Sequence, residues 1–327
     1  MLRGKQILFI GDSVGHHWLN ALLLDAHNKL PSLFPSNTSS WREFYSEPSP
    51  WQYDNRGFCA PPFHVLNMSS ALESAPVITT FVFPNNECPP TYKKERYKAC
   101  CPRGIPIGGR MAAISAKLLD TKPDIVIAQM GIHWHTVPSF RSDVSDMVKA
   151  LGQYATLNSG SLILFLESLP QHFDAPDGSY DGWRANVNVN RSAFLCPPLN
   201  LTRVQTDQLV GDDMSVGIYN LNQIARREVE VTEGVHWLPA NSGAAFAVRH
   251  DAHKGATKCC SKHTDCSHYC YSPDLWRPAL DPFYSQVYAS MHTRADARPD
   301  QPARKGAAPH SPLSTQRGSV PPRGSGG

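Results

Sequence analysis

The stretch Gln6-Ile7-Leu8-Phe9-Ile10-Gly11-Asp12-Ser13 decides the fold. Its apolar run has no polar alternation, which is the pattern of a short strand buried on both faces, and Gly-Asp-Ser then turns the chain. Beyond the turn, His16 to Leu30 reads as a helix, with Trp18, Leu22 and Ala26 on one face and Leu19 and Leu23 beside them. The same alternation continues outward. Val77 to Phe83 reads as a strand, Arg110 to Leu119 as a helix after a Gly-Gly pair, and Asp124 to Ala128 as a strand. Val144, Met147, Val148 and Leu151 recur at i, i+3, i+4 and i+7 and mark an amphipathic helix. Leu162 to Leu166 is a further strand, Ile218 to Glu228 a helix, and Leu275 to Met291 a closing helix. Residues 31–75, rich in Pro, Ser and Asn, read as a long irregular excursion.

Strands alternating with helices predict an α/β fold, a mostly parallel sheet flanked by helices, with ligands bound beyond the carboxyl ends of the strands. Ser13, Gln129-Met130-Gly131 and residues 167–173 all follow strands, so they are expected on one rim. The catalytic domain is expected over residues 1–292. From Thr293 to Gly327 the composition turns to Pro, Arg, Gly and Ser, which predicts a disordered tail.

A net charge of +3 in 327 residues argues against nucleic acid as a partner. Nine cysteines point to disulfide-rich loops and an oxidising compartment. Four N-x-Ser/Thr sequons, at Asn37, Asn67, Asn190 and Asn200, point the same way and predict a glycoprotein of the secretory pathway. No apolar run is long enough to span a bilayer, and the chain enters its first strand directly after Met1-Leu2-Arg3-Gly4-Lys5. The expectation is therefore a targeting segment upstream of this sequence, and membrane association only through such an anchor.

A serine hydroxyl needs a base within hydrogen-bond reach to act as a nucleophile. Ser13, in a turn between a buried strand and a helix, is exposed to such a base and to the positive end of the helix. The same tripeptide also suits an ordinary helix N-cap. Thr264-Asp265-Cys266-Ser267-His268-Tyr269-Cys270 supplies the other elements: Asp265 can hold one ring nitrogen of His268 while the other faces the serine. Cys266 and Cys270 flank the histidine and can pin the loop covalently. A competing set of zinc ligands is Cys259, Cys260, His263, Cys266, His268 and Cys270, but its spacings do not match the usual Cys-x2-4-Cys pattern, and no metal is expected.

These residues carry a resemblance. Leu2-Arg3-Gly4-Lys5 through Ser13 resembles the opening of the trichome-birefringence-like proteins, the plant and algal branch of the PC-esterase family, whose catalytic domain belongs with the Gly-Asp-Ser (SGNH-type) esterases. Asp265-Cys266-Ser267-His268-Tyr269-Cys270-Tyr271-Ser272-Pro273-Asp274-Leu275-Trp276 is similar to that family's C-terminal Asp-Cys-x-His-Trp-Cys block. Ser168-Leu169-Pro170-Gln171-His172-Phe173 and Arg249-His250-Asp251-Ala252-His253 resemble two further family stretches, in the same order. The resemblance implies O-acetyl transfer from a small acyl donor to a polysaccharide or other glycan in the Golgi, with no tightly bound cofactor. It implies Ser13 as nucleophile, His268 as general base and acid, and Asp265 as its orienter.

Three departures bear on the substrate: Tyr269 in place of Trp, Tyr271-Ser272 in place of Leu-Pro, and Gly15-His16-His17 in place of a polar Arg-Asn stretch. These positions are expected to touch donor or acceptor. Gln129 and Gly57 are the candidate oxyanion donors, and a donor of that kind is typically worth roughly 100- to 1,000-fold in turnover. Trp134, His133 and His172 are the candidates for lining the substrate cleft. Two other readings stand beside the transferase: a carbohydrate O-acetyl esterase with the same triad, and a catalytically silent glycan-binding protein.

Overall fold

The computed structural model describes residues 4–29, 63–67, 77–82, 107–132, 134, 137–175, 178–185, 196–199, 218–240, 245–253, 265–270 and 273–296. The apolar run quoted above forms β1 (Gln6–Gly11), which lies between β3 (Val77–Val82) and β4 (Ile125–Ala128) and runs parallel to both. Ile7 pairs with Ile78 on one side and with Ile125 on the other. Strands β5 (Leu162–Leu166) and β6 (Val235–Leu238) continue the parallel array, while β2 (Phe63–Asn67) pairs antiparallel with β3. The sheet order is β2-β3-β1-β4-β5-β6. On one side of β1 lie β4, β5 and β6 in chain order and on the other lie β3 and β2, so the connections leave β1 to both sides and diverge there. In open α/β sheets a crevice opens at that place, beyond the carboxyl ends of the strands.

The helices are α1 (Ser13–Lys29), α2 (Ile107–Thr121), α3 (Val137–Leu157), α4 (Tyr180–Ala185), α5 (Ile218–Glu230) and α6 (Pro273–Asp296). Leu8, Ile10, Val126, Ala128, Ile163 and Phe165 face a core completed by Ile114 and Leu118 of α2, Met147 and Leu151 of α3, and Leu221 and Ile224 of α5. The alternate residues Ile7, Phe9, Ile127 and Leu164 are equally buried, as a sheet covered on both faces requires. Phe9 lies under α1, and α1 is tied to α6 by the Trp18 indole, which donates to the Ala279 carbonyl and meets the Phe283 ring edge-on.

Several boundaries differ from the sequence reading for physical reasons. Helix α1 begins at Ser13 rather than His16, because Asp12 caps it. Helix α2 takes Gly108-Gly109 into its first turn instead of following them. Strand β2 sits inside the stretch read as irregular, and β6 has only four residues, with exposed His236 breaking its apolar pattern.

The chain divides into one unit over residues 1–288, which holds the sheet, and a second over residues 289–327. Helix α6 runs to Asp296, four residues into the stretch expected as a tail; the remainder of that expectation lies outside the described residues. Among the described residues, no helix is long and apolar enough to cross a membrane.

Candidate active site at the carboxyl rim of the sheet

Strand β1 ends at Gly11, and Ser13 is the first residue of α1. The turn between them is held by Asp12, which is fully buried. Its Oδ1 accepts the N–H groups of Val14 (2.9 Å) and Gly15 (3.2 Å), two of the donors a helix N-terminus leaves without partners. Its Oδ2 accepts the Ile132 N–H (3.2 Å) and the Gln129 side-chain amide (3.3 Å). Gln129 Oε1 in turn accepts the Asp12 N–H (3.1 Å), so the amide and the carboxylate clamp the ends of β1 and β4 together.

Gln129 was a candidate oxyanion donor, and its position corrects that expectation. The side chain is fully buried, and Nε2 donates to both Asp12 Oδ2 and the Ser168 hydroxyl. An amide with two N–H hydrogens spent inside the fold has none to direct at a reacting oxygen. Its oxygen fills the space beside α1: a Cβ on Gly15 would lie 2.5 Å from it, which is why glycine stands there. Ser168 passes the network on, donating to the Met130 carbonyl (2.9 Å) while Asn222 of α5 pairs with its backbone N–H (3.0 Å) and C=O (2.9 Å).

The turn carrying Asp265 and His268 meets this rim from the other end of the chain. Asp265 Oδ2 lies 2.7 Å from His268 Nδ1, while Oδ1 accepts the backbone N–H groups of Ser267 (3.0 Å) and His268 (3.1 Å). Burial pushes the Asp265 carboxyl up, but the hydrogen bond and charge of His268 and the two N–H donors outweigh it and lower its pKa below the ordinary value. A carboxylate accepting at Nδ1 places that proton there and makes Nε2 the basic nitrogen. Both side chains remain reachable, with His268 23% and Asp265 25% exposed.

What brings the turn to α1 is a residue the sequence reading did not single out as a contact. The His17 ring packs on the His268 ring, with centroids 4.6 Å apart, and its Nδ1 lies 3.3 Å from the Tyr269 carbonyl. His17 follows Ser13 by four residues on the same helix, and helical side chains lean toward the N-terminus. His268 is therefore stacked against α1 one turn beyond the helix's first residue, Ser13. The i+4 spacing was the available signal.

Covalent and polar links fix the turn from behind. Cys266 is disulfide-bonded to Cys196, and Cys270 is also disulfide-bonded. Neither can be a thiolate ligand, so Cys266 and Cys270 drop out of the competing zinc set; Cys259, Cys260 and His263 lie outside the described residues. Among the described residues, no group of three or more His, Cys, Asp or Glu is placed to hold a metal ion. The His172 N–H donates to the Cys266 carbonyl (2.9 Å), the Gln171 amide to the Ser267 hydroxyl (2.7 Å), and the Cys270 N–H to the Ala252 carbonyl (2.8 Å).

The remaining candidates are sorted by burial. His172 is a core residue rather than a cleft residue: Nε2 reaches the Ala247 carbonyl (2.8 Å) and Nδ1 reaches His253 Nε2 (2.6 Å). Burial first, opposed by the carbonyl hydrogen bond, lowers the His172 pKa to about 4; the same desolvation and the neighbouring His172 lower His253 to about 3. Trp134 is 8% exposed, stacks edge-on with Phe140 and donates its indole N–H to buried Asp143 (2.7 Å), so it offers no open face to a sugar. Tyr269, expected at the substrate, is fully buried with its hydroxyl donating to the Pro170 carbonyl (2.9 Å). His133 and Gly57 lie outside the described residues.

No protein-family model matches this chain, and no curated protein matches it. Among solved structures, the periplasmic domain of a lipopolysaccharide acetyltransferase from Salmonella ser. Paratyphi A is similar at 12% identity, over 89% of this chain and 85% of that one, with a TM-score of 0.36. A likeness of that degree says nothing about the chemistry of this site.

Proposed function

We propose that this chain is an acyl-enzyme catalyst that moves an acetyl group through Ser13 to a hydroxyl of a polysaccharide or other glycan. The observation that carries the reading is the 2.7 Å Asp265–His268 pair stacked, through His17, against the first turns of α1 at the place where the sheet's connections diverge. The resemblance of the Gly-Asp-Ser and Asp-Cys-x-His stretches to the trichome-birefringence-like proteins supplies the acetyl group and the glycan.

In this mechanism the Ser13 hydroxyl attacks the acetyl carbonyl and gives its proton to His268 Nε2. Asp265 stabilises the imidazolium at Nδ1. The tetrahedral intermediate forms at the positive end of α1. Val14 and Gly15 do not serve it, because Asp12 already holds their N–H groups. Collapse expels the donor's leaving group, which takes the proton from His268. An acceptor hydroxyl then attacks acetyl-Ser13, loses its proton to Nε2, and leaves as the acetate ester while Ser13 is reprotonated. The Cys196–Cys266 disulfide supports placement in an oxidising, secretory compartment.

The test is incubation with a small acetyl ester followed by peptide mass spectrometry. An acetyl adduct on Ser13, absent from Ser13→Ala and His268→Ala, is expected, and an added oligosaccharide should discharge it faster than water does. Equal discharge without acceptor would make the protein an esterase. Absence of any adduct from the folded protein with several donors would sink the catalytic reading and leave a glycan-binding protein.

A further inference from the structure

Asp265 holds the His268 ring at one atom. Its Oδ2 lies 2.7 Å from Nδ1, but a hydrogen bond at one nitrogen leaves a flat ring free to tilt about that bond. Tilting moves Nε2, and a base has to present Nε2 along one line. A second constraint, acting on the plane of the ring, is therefore needed. His17 is placed to supply it. Its ring lies against the His268 ring with centroids 4.6 Å apart and planes inclined by 33°, within the range in which flat rings pack with an offset.

His17 is itself firmly held. The side chain is only 9% exposed, and Nδ1 lies 3.3 Å from the Tyr269 carbonyl. A carbonyl oxygen only accepts, so Nδ1 carries the proton of that contact. Tyr269 directly follows His268, so His17 grips the backbone one residue past the ring it packs on. The helix beneath it is anchored along its length: the Trp18 indole donates to the Ala279 carbonyl (3.0 Å), and the Tyr284 hydroxyl donates to Asp25 Oδ2 (2.6 Å). The Asp265–His268 turn has no regular structure of its own, so a ring on a braced helix is the more exact reference for alignment.

The two contacts use different halves of one side chain. The N–H ties the turn's backbone to α1, and the flat face meets the imidazole of His268. Phenylalanine would supply the face without the N–H. Asparagine would supply the N–H without the face, since its amide nitrogen hangs from Cγ as Nδ1 does. We propose that His17 is a positioning residue whose ring face sets the plane of the His268 imidazole, while its Nδ1–H separately fastens the Tyr269 carbonyl. The effect on turnover rests on the proposed function; the alignment of the ring does not.

The experiment compares wild type, His17→Phe, His17→Asn and His17→Ala as whole chains. Acetylation of Ser13 by a small acetyl ester gives kcat and KM, and thermal unfolding gives stability. Proton NMR follows the proton between His268 Nδ1 and Asp265, which a hydrogen bond to a carboxylate moves far downfield and which Asp265→Asn identifies by its loss. A crossed pattern is expected. His17→Phe should keep most of the wild-type kcat and the downfield proton while lowering the unfolding temperature, because the buried Tyr269 carbonyl loses its donor. His17→Asn should unfold nearer the wild-type temperature, yet lose about 10- to 100-fold in kcat at unchanged KM, the scale of a misplaced reacting group, and its downfield proton should broaden into exchange with water. His17→Ala should lose on both counts; should it fail to fold, the Phe and Asn variants carry the comparison. Equal losses of kcat in His17→Phe and His17→Asn, a kcat that follows unfolding temperature across the variants, or a loss carried by KM overturns the assignment. A wild type that never acetylates Ser13, with the downfield proton kept in His17→Phe and lost in His17→Asn, keeps the alignment and removes the catalytic reading. Acetylation of Ser13 with kcat undiminished in His17→Asn does the reverse, and absence of both adduct and proton from wild type overturns both.

Discussion

Two aspartates flank the site and do different work, which their hydrogen bonds separate. Asp12 is surrounded by N–H donors that belong to the fold, from Val14, Gly15, Ile132 and Gln129. Asp265 spends one oxygen on its own turn and the other on His268 Nδ1. Replacing Asp265 with Asn keeps an acceptor for the turn but sets an NH2 group against Nδ1, which forces the proton to Nε2 and removes the base. Asp265→Asn should therefore slow acetylation of Ser13 by on the order of 10³- to 10⁴-fold with little change in unfolding temperature. An unchanged rate would show that His268 is not the base. The pairing of Asp265 with His268 was legible because a carboxylate three residues before an imidazole on one turn can reach its Nδ1. Gln129, Trp134 and His172 were misassigned because position after a strand says that a residue is near the rim, not whether its side chain points out of it or into the network beneath.

At the scale of elements, the turn that carries Asp265 and His268 is a short irregular segment, and its geometry depends on what it is tied to. The Cys196–Cys266 disulfide spans a sequence separation of 70 residues. Loop-closure entropy alone gives such a link about 4 kcal/mol, and measured losses for native disulfides run from about 2 to 5 kcal/mol. The double variant Cys196→Ser/Cys266→Ser should lose about that much in denaturant unfolding. It should also lose turnover under conditions where it is still fully folded, because the turn that carries Asp265 leans on that bond. Full activity in the folded variant would mean that the hydrogen bonds from His172 and Gln171 hold the turn unaided. Disulfide use was legible in the count and placement of the cysteines, whereas the pairing was not, since spacing does not say which loops meet. Parallel strands β1, β4 and β5 were legible from unbroken apolar runs; β6 was not, because exposed His236 interrupts its four residues on an edge.

Across the whole molecule, the pair His172–His253 joins three separated parts of the chain: the segment after β5, the 245–253 segment and the Asp265–His268 turn. His172 Nε2 faces the Ala247 carbonyl, the two rings meet at 2.6 Å, and His253 Nδ1 lies 3.4 Å from the His268 carbonyl. The charged and titratable groups around the pair are His250 and Asp251 beside His172, Asp265 and His268 beside His253, and Tyr269, whose hydroxyl lies 3.3 Å from His172 Nδ1 and whose ring packs on His253. Desolvation dominates, and it holds the folded-state values near 4 and 3, against about 6.5 for a histidine in the unfolded chain. Between those limits the unfolded state binds more protons than the folded one, so stability rises with pH. The contribution is complete above about pH 6.5 and is lost as pH falls from there toward 4, at up to about 1.4 kcal/mol per pH unit for each histidine. Asp265, with its lowered carboxyl pKa, loses its share only in the carboxylate range further down, so the two effects separate on the pH axis. Unfolding free energy measured from pH 7 to pH 4 should fall with this slope, and His172→Gln, which retains an amide N–H for a carbonyl, should flatten it while lowering stability at pH 7. A slope unchanged in His172→Gln would mean that the acid sensitivity arises elsewhere and that the buried pair does not govern how the Asp265–His268 turn is held to the core.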